Sequence, residues 1–167
     1  MNGYDRDKAW SDKFMRTIKQ VLGLCLLTEG NFEEDAKENT DLRVLNLKGV
    51  RIGCRVRTYD FYERYPNEFT IRYSRPTGIK TEIDKIMDGW GDLFFYGFSN
   101  QSETSLIKWT LADLNVFRQW YREGRGLVKS VPSSKCELIA FKWSDFPKGF
   151  IVNSYEKTSS GIIRTVA

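Results

Sequence analysis

The chain has 167 residues, a net charge of +4 at pH 7 and no histidine. The absence of histidine excludes serine–histidine and cysteine–histidine nucleophile pairs, zinc–histidine sites and nucleases in which a histidine activates water. Chemistry in this chain would have to use carboxylate, Lys, Arg, Tyr or Ser side chains, for which Mg²⁺ or Mn²⁺ is the natural cofactor.

The composition predicts one packed domain without a membrane segment. Hydrophobic residues make up 41% of the chain and aromatic residues 14%, and the length corresponds to a single domain. No apolar run approaches the roughly 20 residues of a membrane helix, and the N-terminus lacks a basic-then-apolar signal pattern. We therefore expect a cytoplasmic protein. The three widely spaced cysteines, Cys25, Cys54 and Cys136, are typical of buried thiols in a reducing compartment.

The first predicted element is an amphipathic helix over 4–27. Trp10, Phe14 and Ile18 recur in it at helical spacing, which is typical of a packing helix. An acidic stretch follows at 29–40. It is either a solvated loop or a source of carboxylates for the site that begins at Asp41, and the candidates are Glu33, Glu34, Asp35 and Glu38.

Two β-rich segments, 41–47 and 50–57, predict a short hairpin that turns near Gly49. Alternation in V-R-I-G-C-R-V-R separates a core face from a polar face that carries Arg51, Arg55 and Arg57. Arginine pairs bidentately with phosphate or carboxylate, so three on one strand face predict an anionic partner. If the apolar faces of the hairpin coincide, Asp41 lies beside Arg55.

Further elements alternate along the rest of the chain. A strand at 68–73 carries Glu68 on its polar face, a short helix begins near Thr81 and ends at Gly89, and L-F-F-Y-G-F at 93–98 predicts a central strand covered on both faces. Strands at 105–111, 127–131, 136–143 and 150–155, a helix at 112–122 and a loosely held tail from 157 complete the prediction.

Basic residues exceed acidic residues between Arg51 and Lys80 by seven to three, and tyrosine and phenylalanine lie among them. This pattern suits phosphate pairing with base stacking. It suits intramolecular ion pairs equally well, through Asp60, Glu63 and Glu68. The predicted nucleic-acid-binding residues are Arg51, Arg55, Arg57, Arg64, Arg72 and Arg75.

The order of elements resembles the PD-(D/E)XK nuclease superfamily. T-D-L at 40–42 is similar to its aspartate strand, and I-G-C-R-V-R is similar to its acid-any-lysine strand, with Gly53 at the acid position and Arg55 at the lysine position. The segments E-F-T-I-R, K-T-E-I-D-K-I and G-W-G-D-L-F-F-Y-G-F also resemble uncharacterised phage and prophage proteins. The resemblance implies a single α/β (α+β) domain with a mixed central sheet flanked by helices, divided into a restriction-endonuclease-like core (4–98), an extension (99–156) and a loose tail (157–167).

Gly53 provides no carboxylate at the acid position of the motif, and a metal-dependent nuclease needs carboxylates to hold its cation. Two functions therefore stay open. In the first, the acid has moved to Glu68, so that Asp41, Glu68 and Glu34 hold Mg²⁺, Arg55 or Lys80 replaces the lysine, and the substrate is DNA. Arginine stays protonated, so Arg55 would stabilise charge but not act as a base. In the second, the site has decayed, no cofactor is bound, and the arginine face contacts nucleic acid or a host protein as part of a phage accessory protein.

Overall fold

A computed structural model describes residues 9–25, 27–29, 42–44, 49–74, 78–124, 129–132, 137–157 and 163–166. It divides the chain into two compact units, 1–49 and 50–167. The predicted mixture of helices and strands is confirmed. No helix in the described ranges has the length and apolar character to cross a membrane.

The first unit contains helix α1 (Met15–Cys25) and two short strands, β1 (Leu27–Glu29) and β2 (Leu42–Val44). Phe14 and Ile18 are fully buried, as their helical spacing predicts. β2 pairs antiparallel with β1, with Val44 opposite Leu27. The hairpin predicted between β2 and the arginine-bearing strand runs through residues 45–48, which lie outside the described residues, so it stays a prediction.

The second unit carries the remaining described elements. They are β3 (Ile52–Arg57), α2 (Tyr59–Arg64), β4 (Glu68–Ser74), α3 (Glu82–Met87), β5 (Leu93–Ser99), β6 (Leu106–Asp113), α4 (Leu114–Arg122), β7 (Lys129–Pro132), β8 (Glu137–Lys142), β9 (Ile151–Lys157) and β10 (Ile163–Val166).

Five strands form a mixed sheet in the order β10-β9-β6-β5-β3. β3 and β5 run parallel, and the other pairings are antiparallel. β5 is buried from Phe94 to Ser99 and lies between β3 and β6, so the predicted central strand is confirmed. The segment predicted as a loose tail contains β10, which pairs with β9.

Three further strands form an antiparallel sheet in the order β4-β8-β7, and aromatic rings join this sheet to the first. Phe69 of β4 lies with its ring centroid 6.2 Å from Phe94 and 6.3 Å from Tyr96, both on β5. It also contacts Trp143 at 4.3 Å. The main core of the second unit thus lies between one face of β5 and the inner face of β4.

α3 connects the two sheets and has a well-defined start. Thr81 precedes it, and the Asp84 carboxylate accepts hydrogen bonds from the backbone and hydroxyl of Thr81 at 2.7 and 2.8 Å. This capping box satisfies backbone donors that a helix start leaves open. Ile83 and Ile86 face the core, which leaves the opposite side of α3 in solvent.

Candidate binding surface

The residues predicted to be catalytic are not assembled within the described part of the second unit. Asp41 and Glu34 lie outside the described residues. Glu68 begins β4 and is half-buried, with Lys142 as its neighbour on β8. Lys80 precedes α3 and forms an ion pair with Asp88. In the described ranges no three His, Cys, Asp or Glu side chains are grouped to hold a metal ion, and the Mg²⁺ site stays a prediction.

The arginine face of β3 points to the interior of the protein. In the parallel pairing of β3 with β5, Arg55 lies opposite Tyr96 and Arg57 lies opposite Phe98. Residues paired in this way share a face of the sheet, and Tyr96 and Phe98 belong to the main core. The assignment of these arginines to a face outside the core is therefore wrong. Val56, on the other face, is buried as well.

Arg55 bonds to the second sheet and to α3. Its Nη1 donates to the carbonyl of Thr70 at 2.7 Å, and its Nη2 pairs with the carboxylate of Glu82. The same carboxylate oxygen accepts a hydrogen bond from the backbone N–H of Arg72 at 3.0 Å. β4 lies at the edge of its sheet in the described chain, so Arg55 and Glu82 satisfy edge groups that would otherwise be open to another strand.

Arg57 forms a second set of contacts in the same layer. Its Nε donates to the Tyr96 hydroxyl at 3.1 Å, and its Nη2 donates to the hydroxyl of Thr70. The guanidinium also lies 4.8 Å from the ring centroid of Phe61, which is a cation–π distance. Groups within the protein thus occupy donors of Arg55 and Arg57 that the sequence assigned to an external anion, and for Arg55 the partner includes a carboxylate.

The other arginines predicted to bind nucleic acid are dispersed. Arg64 is exposed at the end of α2, Arg72 is half-buried within β4, and Arg75 lies outside the described residues. Arg51 lies just before β3 and is more accessible than the two arginines within that strand, with 57% of its side chain exposed. Its Nε nevertheless lies 3.3 Å from the Asp92 carboxylate. Nucleic-acid contact by this set stays a prediction.

Trp90 is the most exposed large hydrophobic residue in the described chain, at 65%. It follows α3 between Gly89 and Gly91, whose φ angles are +89° and +79°. Glycine tolerates this left-handed backbone far better than other residues, and at Gly91 an added Cβ would also lie 3.0 Å from Leu114. The two glycines therefore permit a turn that places the indole in solvent.

Two arginines hold this turn from opposite sides. Arg51 Nη2 donates to the carbonyl of Gly89 at 2.9 Å, and Arg118 Nη1 donates to the carbonyl of Gly91 at 3.1 Å. The Trp90 N–H donates to the carbonyl of Lys85 at 2.9 Å. Hydrogen bonds on both sides of Trp90 therefore hold the backbone of the turn that carries the exposed ring.

Asp92 completes the support of the Trp90 turn. Its carboxylate accepts the backbone N–H of Arg51 at 2.8 Å as well as the guanidinium. These two hydrogen bonds, with smaller contributions from the charges of Arg51 and Arg118, lower the pKa of Asp92 below its usual range. The carboxylate therefore stays ionised in mildly acidic solution and keeps Arg51 in place.

The exposed side of α3 and its two ends form one surface, here called the α3 face. Ile79 is 59% exposed at the start and Trp90 lies at the end. The exposed charged residues between them are two lysines and two aspartates, and the fifth charged residue, Glu82, is half-buried and pairs with Arg55. The members of the α3 face are Ile79, Lys80, Asp84, Lys85, Asp88 and Trp90.

Tyr73, on β4, is a further exposed aromatic residue outside the α3 face. It is 48% exposed. Burial raises the pKa of the Tyr121 phenol, and the neighbouring Tyr73 and Asp84 raise that pKa further. The α3 face thus has an exposed hydrophobic residue at each end and balanced charges between them.

Sequence reasoning missed Glu82, Arg118 and the exposure of Trp90. The D-G-W-G-D segment carried a usable signal, because a tryptophan between two glycines after a helix has little local structure to bury it. No family model, curated protein or solved structure matches this chain.

Proposed function

We propose that this chain is a non-catalytic protein that acts by binding another protein through the α3 face. The observation that supports it is Trp90, a large aromatic side chain that is 65% exposed on a turn held by Arg51 and Arg118. Tryptophan and arginine are the residue types most often found at binding hot spots. A rigid support reduces the entropy lost on association.

The charge of the α3 face supports a protein partner over a polyanion. Lys80 and Lys85 are balanced by Asp84 and Asp88, so this face offers no net attraction for phosphate. The arginines that could have supplied it, Arg55 and Arg57, are bonded within the protein. A host protein was one of the partners that the sequence allowed.

Photo-crosslinking in cells that encode the chain tests this proposal. A photoreactive amino acid in place of Trp90 is expected to give a discrete covalent adduct with a protein, because the side chain at this position lies in the contact. The matched control is Val152 on β9, which is 44% exposed and lies outside the α3 face. Adducts that are absent at position 90, or identical from both positions, would rule the proposal out.

Nucleic-acid binding is the second candidate function. It is supported by the net charge of +4 and by exposed Arg64 next to Tyr65, which is 42% exposed. Phosphate contact makes affinity depend on salt. If this candidate holds, Arg64→Ala weakens oligonucleotide binding and lowers the slope of log affinity against log salt by about 1, whereas Arg122→Ala on α4 has a smaller effect. Fluorescence anisotropy with a labelled oligonucleotide measures both.

The nuclease form of this second candidate has its own test. Asp41, Glu68 and Glu34 would hold Mg²⁺, with Arg55 and Lys80 stabilising charge. The half-buried ion pair of Arg55 with Glu82 holds Arg55 within the protein, so we expect no cleavage of single-stranded, duplex or branched DNA with Mg²⁺ or Mn²⁺. Metal-dependent cleavage that Asp41→Asn abolishes in a folded protein would establish catalysis instead.

A further inference from the structure

We infer that the partner bound by the α3 face is a second copy of this chain, in a two-fold symmetric dimer. This inference rests on the proposed function, because it identifies the occupant of the same surface. A symmetric interface requires a surface that is complementary to itself, so that residue i of one copy contacts residue j of the other and j contacts i. The order of charged residues along the α3 face makes it complementary to a second, antiparallel copy of itself.

The complementarity follows from the centre of α3. α3 runs from Glu82 to Met87, and an antiparallel copy related by an axis midway between positions 84 and 85 places Asp84 opposite Lys85 twice. Ile79 precedes α3 and Trp90 follows it, so the same antiparallel arrangement brings the Ile79 end of each copy to the Trp90 end of the other.

The charge of the face also permits self-association. A face with an excess of one sign repels its own copy, but the α3 face has equal numbers of lysine and aspartate residues. The net charge of +4 per chain is carried by residues outside the face. Two copies can approach through α3 without bringing an uncompensated charge to the interface.

The size of the face predicts a reversible dimer. α3 has six residues, and its face with the flanking Ile79 and Trp90 is small beside the roughly 1,200 Å² of total area that stable interfaces bury. We expect a dissociation constant on the order of 10 μM. Sedimentation velocity over a range of protein concentrations should then show a shift from 19.5 kDa to twice that mass.

Trp90→Ala is expected to weaken the dimer by about thirtyfold or more, as at a binding hot spot. Val152→Ala, the exposed control on β9, should leave the dissociation constant unchanged. A wild-type protein that stays monomeric to about 200 μM would overturn the inference. So would a Trp90→Ala dimer of wild-type strength.

Charge exchange tests the register itself. Lys85→Asp alone brings like charges together at both contacts and should give a monomer, and Asp84→Lys alone should do the same. An equimolar mixture of the two variants restores both opposite-charge pairs and should form a 1:1 heterodimer. Asp84→Lys also removes the capping box with Thr81, so its folding is first checked by thermal unfolding. A folded mixture that remains monomeric would show that the register is wrong.

The two proposals fail differently. A crosslinked adduct at position 90 with the mass of a different protein, together with a monomeric wild type in sedimentation, would overturn the dimer and leave the proposed function standing. An adduct of about 39 kDa, twice 19.5 kDa, together with the concentration-dependent shift supports both. The absence of any adduct and of any dimer contradicts both.

Discussion

Glu82→Gln is expected to lower the free energy of unfolding by about 2–3 kcal/mol, because it leaves the Arg55 guanidinium without its counter-charge between the sheets. Breaking a fully buried ion pair costs about 3–5 kcal/mol, and exposed pairs contribute about 0–1 kcal/mol. The side chains of Arg55 and Glu82 are 17% and 26% exposed, so the effect lies between these limits. Urea denaturation monitored by tryptophan fluorescence measures it.

A control variant and a double-mutant cycle distinguish the contribution of the Arg55–Glu82 ion pair to stability from a general effect of charge. Glu63→Gln changes an exposed residue of α2 and should alter stability by no more than about 0.5 kcal/mol. In the Arg55→Met background, Glu82→Gln should cost about 1–2 kcal/mol less than in the wild type. Equal costs in the two backgrounds would mean that Arg55 and Glu82 do not stabilise each other.

Arg118→Met is expected to destabilise the protein by about 1–3 kcal/mol, since the Gly91 carbonyl loses its donor and a buried carbonyl without a donor costs about this much. Arg118 is 8% exposed and donates to the carbonyls of Ile86 and Gly91 at 3.2 and 3.1 Å and to the Asn115 side chain at 2.6 Å. Methionine fills a similar volume and provides none of these donors. Urea denaturation reports the loss.

The same variant tests the support of the Trp90 turn. When the carbonyl of Gly91 loses its donor, local opening around Trp90 becomes easier, and the Trp90 amide should exchange its hydrogen faster under conditions where the protein stays folded. Arg122→Met, at the exposed end of α4, is the matched control and should leave both quantities unchanged. Wild-type stability in Arg118→Met would contradict the role assigned to Arg118.

Local signals in the sequence were sufficient for several elements of the second unit. The start of α3 followed from Thr81 and its end from Gly89, because capping and positive φ are properties of a few neighbouring residues. β5 was predicted from its unbroken apolar run, which is typical of a strand that is buried on both faces. These features depend on residues that are adjacent in the chain.

The surroundings of the β3 arginines depend on contacts between residues that are far apart in the chain, so local signals in the sequence could not predict them. Alternation along β3 separated two faces, but it did not show that the arginine face turns toward β4. The partner of Arg55 is Glu82, 27 positions away and on a different element. The end of the first helix was misplaced for a related reason, because Leu27 begins a strand that pairs with β2, 15 or more positions away.

Iodide quenching of tryptophan fluorescence tests most directly the claim that Trp90 is the contact. Trp90 is exposed, whereas Trp109, Trp120 and Trp143 are buried and Trp10 is half-buried, so the difference between the wild type and Trp90→Phe isolates its signal. We predict that iodide quenches this signal in dilute protein and that quenching is lost as the protein concentration rises through the association range. A Trp90 signal that iodide quenches equally in the free and associated protein would contradict the account.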